Sequence, residues 1–188
     1  MIWQISHRAD PFSADIADRH YSRQTVGSPQ FVPPGSCFVL KAMTPAGRAY
    51  WVTSWPFAEY TKHAWAGAWI CSAFRNEGAG VASEMIRQAV AATRAHYGEP
   101  PALGMITFVD RKKVRPYVTA GGKEIFGQVF RQAGFREDGE TKGGLLTLKL
   151  APERMPPAAP ACGQQVDMFA ANDNRYRRDD TIPMTSAA

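Results

Sequence analysis

The stretch "FRNEGAG", Phe74 to Gly80, separates an aromatic-rich apolar run from an amphipathic one. Upstream, "WAGAWICSAF" (65–74) is apolar with poor alternation, the pattern of a strand covered on both faces. Downstream, Val81, Met85, Ile86, Ala89, Val90, Thr93 and Tyr97 recur at helical spacing, with Glu84, Arg87 and Arg94 between them, until Gly98 and two prolines stop the helix. A strand therefore runs into a helix through a turn carrying Arg75-x-x-Gly78-x-Gly80. The two glycines permit backbone conformations and close approaches denied to other residues. The first turn of the helix presents free N–H groups and the positive end of its dipole, which suits phosphate or pyrophosphate. Arg75 adds a cation beside it. The same glycines also serve a plain strand-to-helix connection that holds no ligand.

Working outward, "PFSADIADRHYS" (11–22) starts like a short helix, with Pro11 in its first turn and Ile16 and Ala17 as an apolar face. The run "VGSPQFVPPGS" (26–36) is a loop. The β-rich runs "CFVLKAM" (37–43) and "RAYWVTSW" (48–55) flank "TPAG" and predict a hairpin. After the central helix, "LGMITFV" (103–109) is a strand ending at Asp110, followed by a basic loop, "RKKVRPYVTAGGK" (111–123). Ile125, Phe126, Val129, Phe130 and Ala133 predict a second long helix ending at Gly134, and "FREDGE" with "LLTLKL" a closing strand pair. This order predicts a mixed α/β (α+β) domain over residues 1–150, with a central twisted sheet and flanking helices. Residues 151–188 turn Pro/Ala-rich and then polar, and read as a disordered tail.

Composition narrows the classes. Hydrophobic residues make up 45% of the 188, enough for a packed core. The N-terminal "MIWQISHRADPF" lacks an apolar run of signal-peptide length, and no stretch approaches the about 20 apolar residues of a membrane span. A cytoplasmic protein without a membrane partner is expected. Cys37, Cys71 and Cys162 form no C-x-x-C pair, which argues against a disulfide framework or a Cys-rich zinc site. Of 22 basic and 17 acidic residues, the tail holds four and five, so residues 1–150 carry a surplus of six positive charges. That surplus suits a polyanion such as nucleic acid, or merely a solvated basic surface.

With its flanking strand and helix, the turn resembles the acyl-CoA pyrophosphate loop of the GNAT acyltransferase superfamily, Q/R-x-x-G-x-G/A. There the loop lies between the fourth strand and the third helix, and strand, helix, strand and strand follow, as they do here. The resemblance covers residues 12–150, and "FRQAGF", with Phe130, Gly134 and Phe135, matches a later motif. It implies that acetyl-CoA or a related acyl-CoA is held by Arg75, Gly78, Ala79, Gly80 and Val81. One departure stands out. Many members carry Tyr where this chain has Phe130, and Phe cannot protonate a leaving thiolate.

Three further stretches, "RHYS" (19–22), "TFVD" (107–110) and "GQVFRQAGFREDG" (127–139), resemble the Mom-like branch of that superfamily, phage DNA-modification proteins of the bacterial host cytoplasm. This implies transfer of an acyl-derived group, carbamoylmethyl in that branch, to the exocyclic amine of adenine in double-stranded DNA, which shields the DNA from restriction. That amine is a poor nucleophile, because its lone pair is delocalised into the ring. Attack needs a nearby base or strong electrophile activation. His20, Tyr21 and Asp110 are the candidates for base, proton shuttle and base contact. His20 with Asp110 also suits iron as ligand types, though the spacing does not support it. Each has a plainer reading: Asp110 as a loop cap, His20 as a surface histidine, Tyr21 as core. Arg111, Lys112, Lys113 and Arg115 suit DNA phosphates, or are a solvated loop. An acetyltransferase for a small amine or protein, and a GNAT-shaped module that binds DNA without catalysis, are the alternative readings.

In the tail, "QVDMF" (165–169) resembles the bacterial sliding-clamp-binding pentapeptide Q-L-[S/D]-L-F. Gln165, Met168 and Phe169 would engage the clamp, with the Pro/Ala segment as tether. A five-residue pattern with tolerant positions also arises by chance.

Overall fold

The computed structural model describes residues 1–57, 59, 61 and 63–163. In chain order the elements are β1 (Gln4–Ser6), α1 (Pro11–Ala17), β2 (Ser36–Thr44), β3 (Gly47–Trp55), β4 (Trp69–Glu77) and α2 (Ala82–Tyr97). There follow β5 (Met105–Val109), β6 (Tyr117–Val118), β7 (Glu124–Ile125), α3 (Gln128–Gln132), β8 (Arg136–Glu140) and β9 (Leu146–Leu150). The main sheet has seven strands in the order β1-β2-β3-β4-β5-β9-β8, and β6 with β7 forms a separate ribbon. All its ladders are antiparallel except that between β4 and β5, for which α2 is the crossover.

Alternation along the strands builds two layers of core. Phe38, Leu40, Ala42 and Trp51 face α2, where they meet Met85, Ile86 and Val90. Val39, Tyr50 and Val52 face the other way and meet Ile16 and Ala17 of α1. Each fully buried large apolar side chain stabilises the fold by roughly 1.5–3 kcal/mol relative to exposure. The β2–β3 hairpin is legible from its two alternating runs and forms in unbroken register from Ser36↔Trp55 to Thr44↔Gly47.

Elsewhere the tertiary structure overrides local pattern. Helix α1 stops at Ala17, and the Asp18 carboxylate accepts hydrogen bonds from Arg23 Nε at 2.7 Å and the Gly27 amide at 2.9 Å. The chain therefore turns, and His20 and Tyr21 lie beyond the helix rather than on it. Strand β4 begins at Trp69, not Trp65, and runs through Glu77, so that "FRNE" is strand and only Gly78 to Val81 connects to α2. The expected long second helix is short, because Ile125 pairs with Tyr117 in the ribbon.

The expected disordered tail does not begin at 151. After a 3₁₀ turn at Pro152–Arg154, the chain crosses α2. Arg94 Nη1 donates to the Pro156 carbonyl at 2.9 Å and the Ala159 amide to the Ala91 carbonyl at 3.1 Å. Met155 and Ala161 are buried in the main core. The Cys162 amide then donates to the Trp3 carbonyl at 2.9 Å, and Cys162 bridges Gln4, covering the edge of β1. Gln165, Met168 and Phe169 lie outside the described residues. Among the described residues no helix is long and apolar enough to cross a membrane.

Candidate active site

Strands β4 and β5 pair over only three positions, Trp69↔Met105, Ile70↔Ile106 and Cys71↔Thr107. The reason lies on the opposite edge of β4. Thr53 faces Cys71 and Val52 faces Ala73, so Ser72 has no ladder partner in β3 and forms a bulge, although its hydroxyl is hydrogen-bonded to that of Ser54. A bulge bends its strand and increases the local twist. It also resets the alternation: Trp69 and Cys71 face α2, Phe74 packs on that same core, and Ala73 joins the α1 side. Beyond the bulge, β4 leaves β5.

The gap is a cavity of about 380 Å³. Its walls are Cys71 to Asn76 of β4 and Thr107 to Val109 of β5, closed by Val129 and Phe130 of α3 and by Val114 and Arg115. Ala82 places the start of α2 on the same cavity. A second cavity of about 380 Å³ lies beside Ser22, Asp110 and Lys113. Tyr21, Cys71, Ser72 and Phe108 line both and form the septum between them.

Tyr21 works as a wedge in this septum. Its hydroxyl donates to the Phe108 carbonyl at 3.2 Å. Burial chiefly raises its pKa, with the Cys71 thiol adding to the rise and the Asp110 backbone amide opposing it. The phenol is therefore neutral near pH 7 and acts as a donor rather than as a base. His20 stacks beside it, ring centroids 4.5 Å apart. Its Nδ1 accepts from the Ser22 amide at 3.2 Å and lies 2.7 Å from the Ser22 hydroxyl, leaving the remaining ring proton on Nε2. Burial first, and the Arg75 guanidinium second, push its pKa down to about 4. His20 is thus a neutral imidazole and a weak base. Asp110 Oδ1 accepts from the Lys112 amide at 2.9 Å, and Lys113 Nζ lies 3.9 Å from the carboxylate. His20 and Tyr21 line the first cavity and Tyr21 and Asp110 the second, so Tyr21 is shared while His20 and Asp110 lie on different sides of the septum. Asp110 also caps its own loop.

The Arg75 loop carries its own internal bonds. Arg75 Nε donates to Glu77 Oε1 at 2.8 Å, and Nη1 to the Arg19 carbonyl at 2.8 Å. Arg19 and Arg48 also pair with Glu77 and, between themselves, share Asp15. The Arg19 guanidinium, aided by Arg75, holds the Glu77 carboxyl down at about 2. Three guanidinium groups around two carboxylates leave one positive charge over. Gly78 has φ +90° and bridges Arg48, and a Cβ there would come 2.9 Å from the Ala46 carbonyl. It is needed for close approach of the β2–β3 turn. Gly80 meets no such limit, since its added Cβ would have ordinary contact with Met85 at 3.5 Å. The Ala79 amide is taken by Asn76 Oδ1 at 2.9 Å, while Val81 caps α2 without a side-chain bond. The first-turn N–H groups of α2 therefore have no intrahelical acceptor.

Ser72, Asn76 and Glu77 were not singled out from sequence. Asn76 three residues before Ala79 is a readable turn signal, but the bulge at Ser72 needs knowledge of its partner strand. In the basic run, Arg111 is held by Glu140 and lies 3.6 Å from Glu137. Arg115 lines the first cavity and Lys112 is exposed. Among the described residues no group of three or more His, Cys, Asp or Glu could hold a metal ion. With both His20 and Asp110 engaged locally, the residues present do not fit an iron centre. Compared with protein-family models, curated proteins and solved structures, the chain matches none of them significantly.

Proposed function

We propose that this chain is an acyltransferase of GNAT type that uses an acyl-CoA donor to modify the exocyclic amine of adenine in DNA, as in the Mom-like branch. The observation that carries the acyl-transfer reading is the parting of β4 from β5 at the Ser72 bulge. It leaves one edge of β4 without a strand partner, offering main-chain N–H and C=O groups to the amides of an extended donor arm. Phe74, Val109, Val129 and Phe130 give that arm an apolar wall. The open first turn of α2 and Arg75 suit its phosphates. The order β4, loop, α2, β5, α3, β8, β9 also agrees with the superfamily. One element departs from it: α2 is the second named helix, and residues 22–35 are loop where another helix would stand.

In this reading the donor thioester ends at the septum and the acceptor amine comes from the Asp110 side. For a simple acyl thioester, nitrogen attacks the carbonyl carbon, the C–N bond forms, and the C–S bond breaks as the thiolate leaves; the product is an N-acyl adenine, not the carbamoylmethyl adduct of the Mom-like branch. Main-chain N–H groups on the open edge stabilise the oxyanion. Asp110 is placed to take the amine proton. Neutral Tyr21 orients the reacting groups, and solvent supplies the thiol proton, because Phe130 cannot. DNA as acceptor rests on the positive surplus of residues 1–150 and on Lys112, Lys113 and Arg115 at the rim. Recruitment to a sliding clamp through Gln165, Met168 and Phe169 is a separate proposal, tested by binding of the full chain and of its Met168→Ala/Phe169→Ala variant to purified clamp.

The test is mass spectrometry of nucleosides from the DNA of cells expressing the chain. A deoxyadenosine of raised mass, absent with Asp110→Asn, is the expected result. Unmodified deoxyadenosine from cells containing folded, acyl-CoA-binding protein would transfer the proposal to a small amine or protein acceptor.

A further inference from the structure

The ribbon β6–β7 touches the cavity only at its root, where Val114 and Arg115 contribute to the lining. It is a separate two-stranded antiparallel sheet, pairing Tyr117 with Ile125 and Val118 with Glu124, and its β7 side borders a small cavity with Arg131, Glu137 and Leu146. Neighbouring side chains on a strand point to opposite faces. Yet Tyr117 is 53% exposed and Val118 is 55% exposed, so β6 is open on both faces. One exposed apolar side chain is ordinary. Two in succession on a projecting ribbon, surrounded by cations, form a contact surface.

The ribbon is also braced. The Thr119 amide donates to the Lys123 carbonyl at 2.9 Å, the Gly122 amide to the Thr119 carbonyl at 2.9 Å, and the Lys123 amide to Thr119 Oγ1 at 3.1 Å. Its tip is thin, because an added Cβ at Gly121 or Gly122 would meet nothing within 4 Å. Residues 111–124 hold five cations, Arg111, Lys112, Lys113, Arg115 and Lys123, against the single carboxylate of Glu124. Arg111 is tied to Glu140, and Lys113 faces Asp110, which leaves the other three directed at solvent or the cavity.

A thin, basic ribbon with an aromatic side chain has the chemistry for a nucleic-acid groove, which admits two-stranded ribbons. Cations on its flanks neutralise phosphates. An adenine amine inside a stacked duplex cannot reach an enclosed donor, so the base must be extruded, and a side chain inserted at the step offsets the lost stacking. The root of the ribbon borders both cavities, with Asp110 and Lys113 on the second and Val114 and Arg115 on the first, so a duplex on the ribbon lies within reach of the acceptor side. We propose that β6–β7 is a wing that enters a groove of duplex DNA, with Tyr117 stacking against the bases beside the extruded adenine and with Arg115 and Lys123 on flanking phosphates. This rests on the DNA-modification reading above.

The experiment measures duplex affinity of the full chain by fluorescence anisotropy across a salt series. Tyr117→Ala, Tyr117→Phe and Arg115→Ala/Lys123→Ala are compared with wild type, and thermal melting checks that each folds. Tyr117→Ala should bind roughly tenfold more weakly with an unchanged salt slope, while Tyr117→Phe, which keeps the ring, retains wild-type affinity. The double variant should lower the slope of log affinity against log salt by about 1.8. Acetyl-CoA affinity of Tyr117→Ala should equal that of wild type. Wild-type duplex affinity and slope in both the Tyr117→Ala and the double variant would overturn the wing and leave the DNA reading standing. A wild-type chain that binds no duplex at low salt would overturn both.

Discussion

The two halves of β4 differ by one hydrogen-bonding edge. At Ile70 and Cys71 the strand has β3 on one side and β5 on the other; past Ser72 it keeps β3 and loses β5. The closed half is core. Trp69 is fully buried, and burial pushes the Cys71 thiol far up, which makes it inert. The open half carries Phe74, Arg75 and Asn76 on the cavity. Stability is concentrated where pairing is complete, and groups able to meet a ligand lie where the ladder stops. Four perturbations, in falling order of effect, would break or sharpen that contrast.

On the closed half, Trp69→Ala should cost about 3–5 kcal/mol, read from urea unfolding. A cost below about 1 kcal/mol would mean that this half is not the stabilising one. On the open half, Arg75→Ala should leave the fold standing and weaken acetyl-CoA by about tenfold or more, as expected for loss of a charged hydrogen-bonding partner. Isothermal calorimetry with equal affinities would remove Arg75 from the donor site.

The two loop glycines should part company. Gly78→Ala forces a side chain into a left-handed conformation and against the Ala46 carbonyl, so it should destabilise by about 1–3 kcal/mol. Gly80→Ala meets neither limit and should be neutral or stabilising by up to about 1 kcal/mol. Equal melting temperatures for the two variants would sink the packing explanation of Gly78.

The smallest effect is a pH dependence. His20 is held neutral in the fold, with a pKa pushed down to about 4 by burial and Arg75. The unfolded chain takes up its proton near pH 6.5. Stability should therefore fall as pH falls between about 6.5 and 4, because there only the unfolded state gains that proton. Glu77 acts in the next window down: its carboxyl is held at about 2, so its contribution is present above about 4.3 and is lost as pH falls toward 2. His20→Gln should reduce the slope in the upper window, to which His63 and His96, also lowered by burial, contribute as well, and should leave the lower window unchanged. Urea midpoints that keep the wild-type slope from pH 6.5 to 4 would show that His20 is not sequestered.

Much of the frame was readable because its signals are local. The β2–β3 hairpin follows from alternation on either side of a turn, and α2 from apolar spacing closed by Gly98. The Trp65–Ala68 segment misled, because an apolar run carries no mark of where pairing begins; Ala68 is buried in a turn before β4. Ile125 and Phe126 fit a helix by spacing, but Ile125 is claimed by the ribbon through its bond to Tyr117. Residues 151–163 resemble a tail by composition, yet Met155 and Ala161 fill gaps in the core. His20, Tyr21 and Asp110 were legible as residue types, and their division between two cavities on either side of Tyr21 was not.

The amino-acid sequence by itself determined the order of strand, loop and helix around residues 74–80, the hairpin before it, and the positive surplus of residues 1–150. These follow from periodicity, turn chemistry and charge, which are properties of neighbours along the chain. Only the tertiary structure decided that Ser72 is a bulge, that Tyr21 wedges between two strands, and that Gly78 answers to Ala46. Each is a relation between segments distant in sequence, and it exists only once the sheet has brought their backbones within hydrogen-bonding distance.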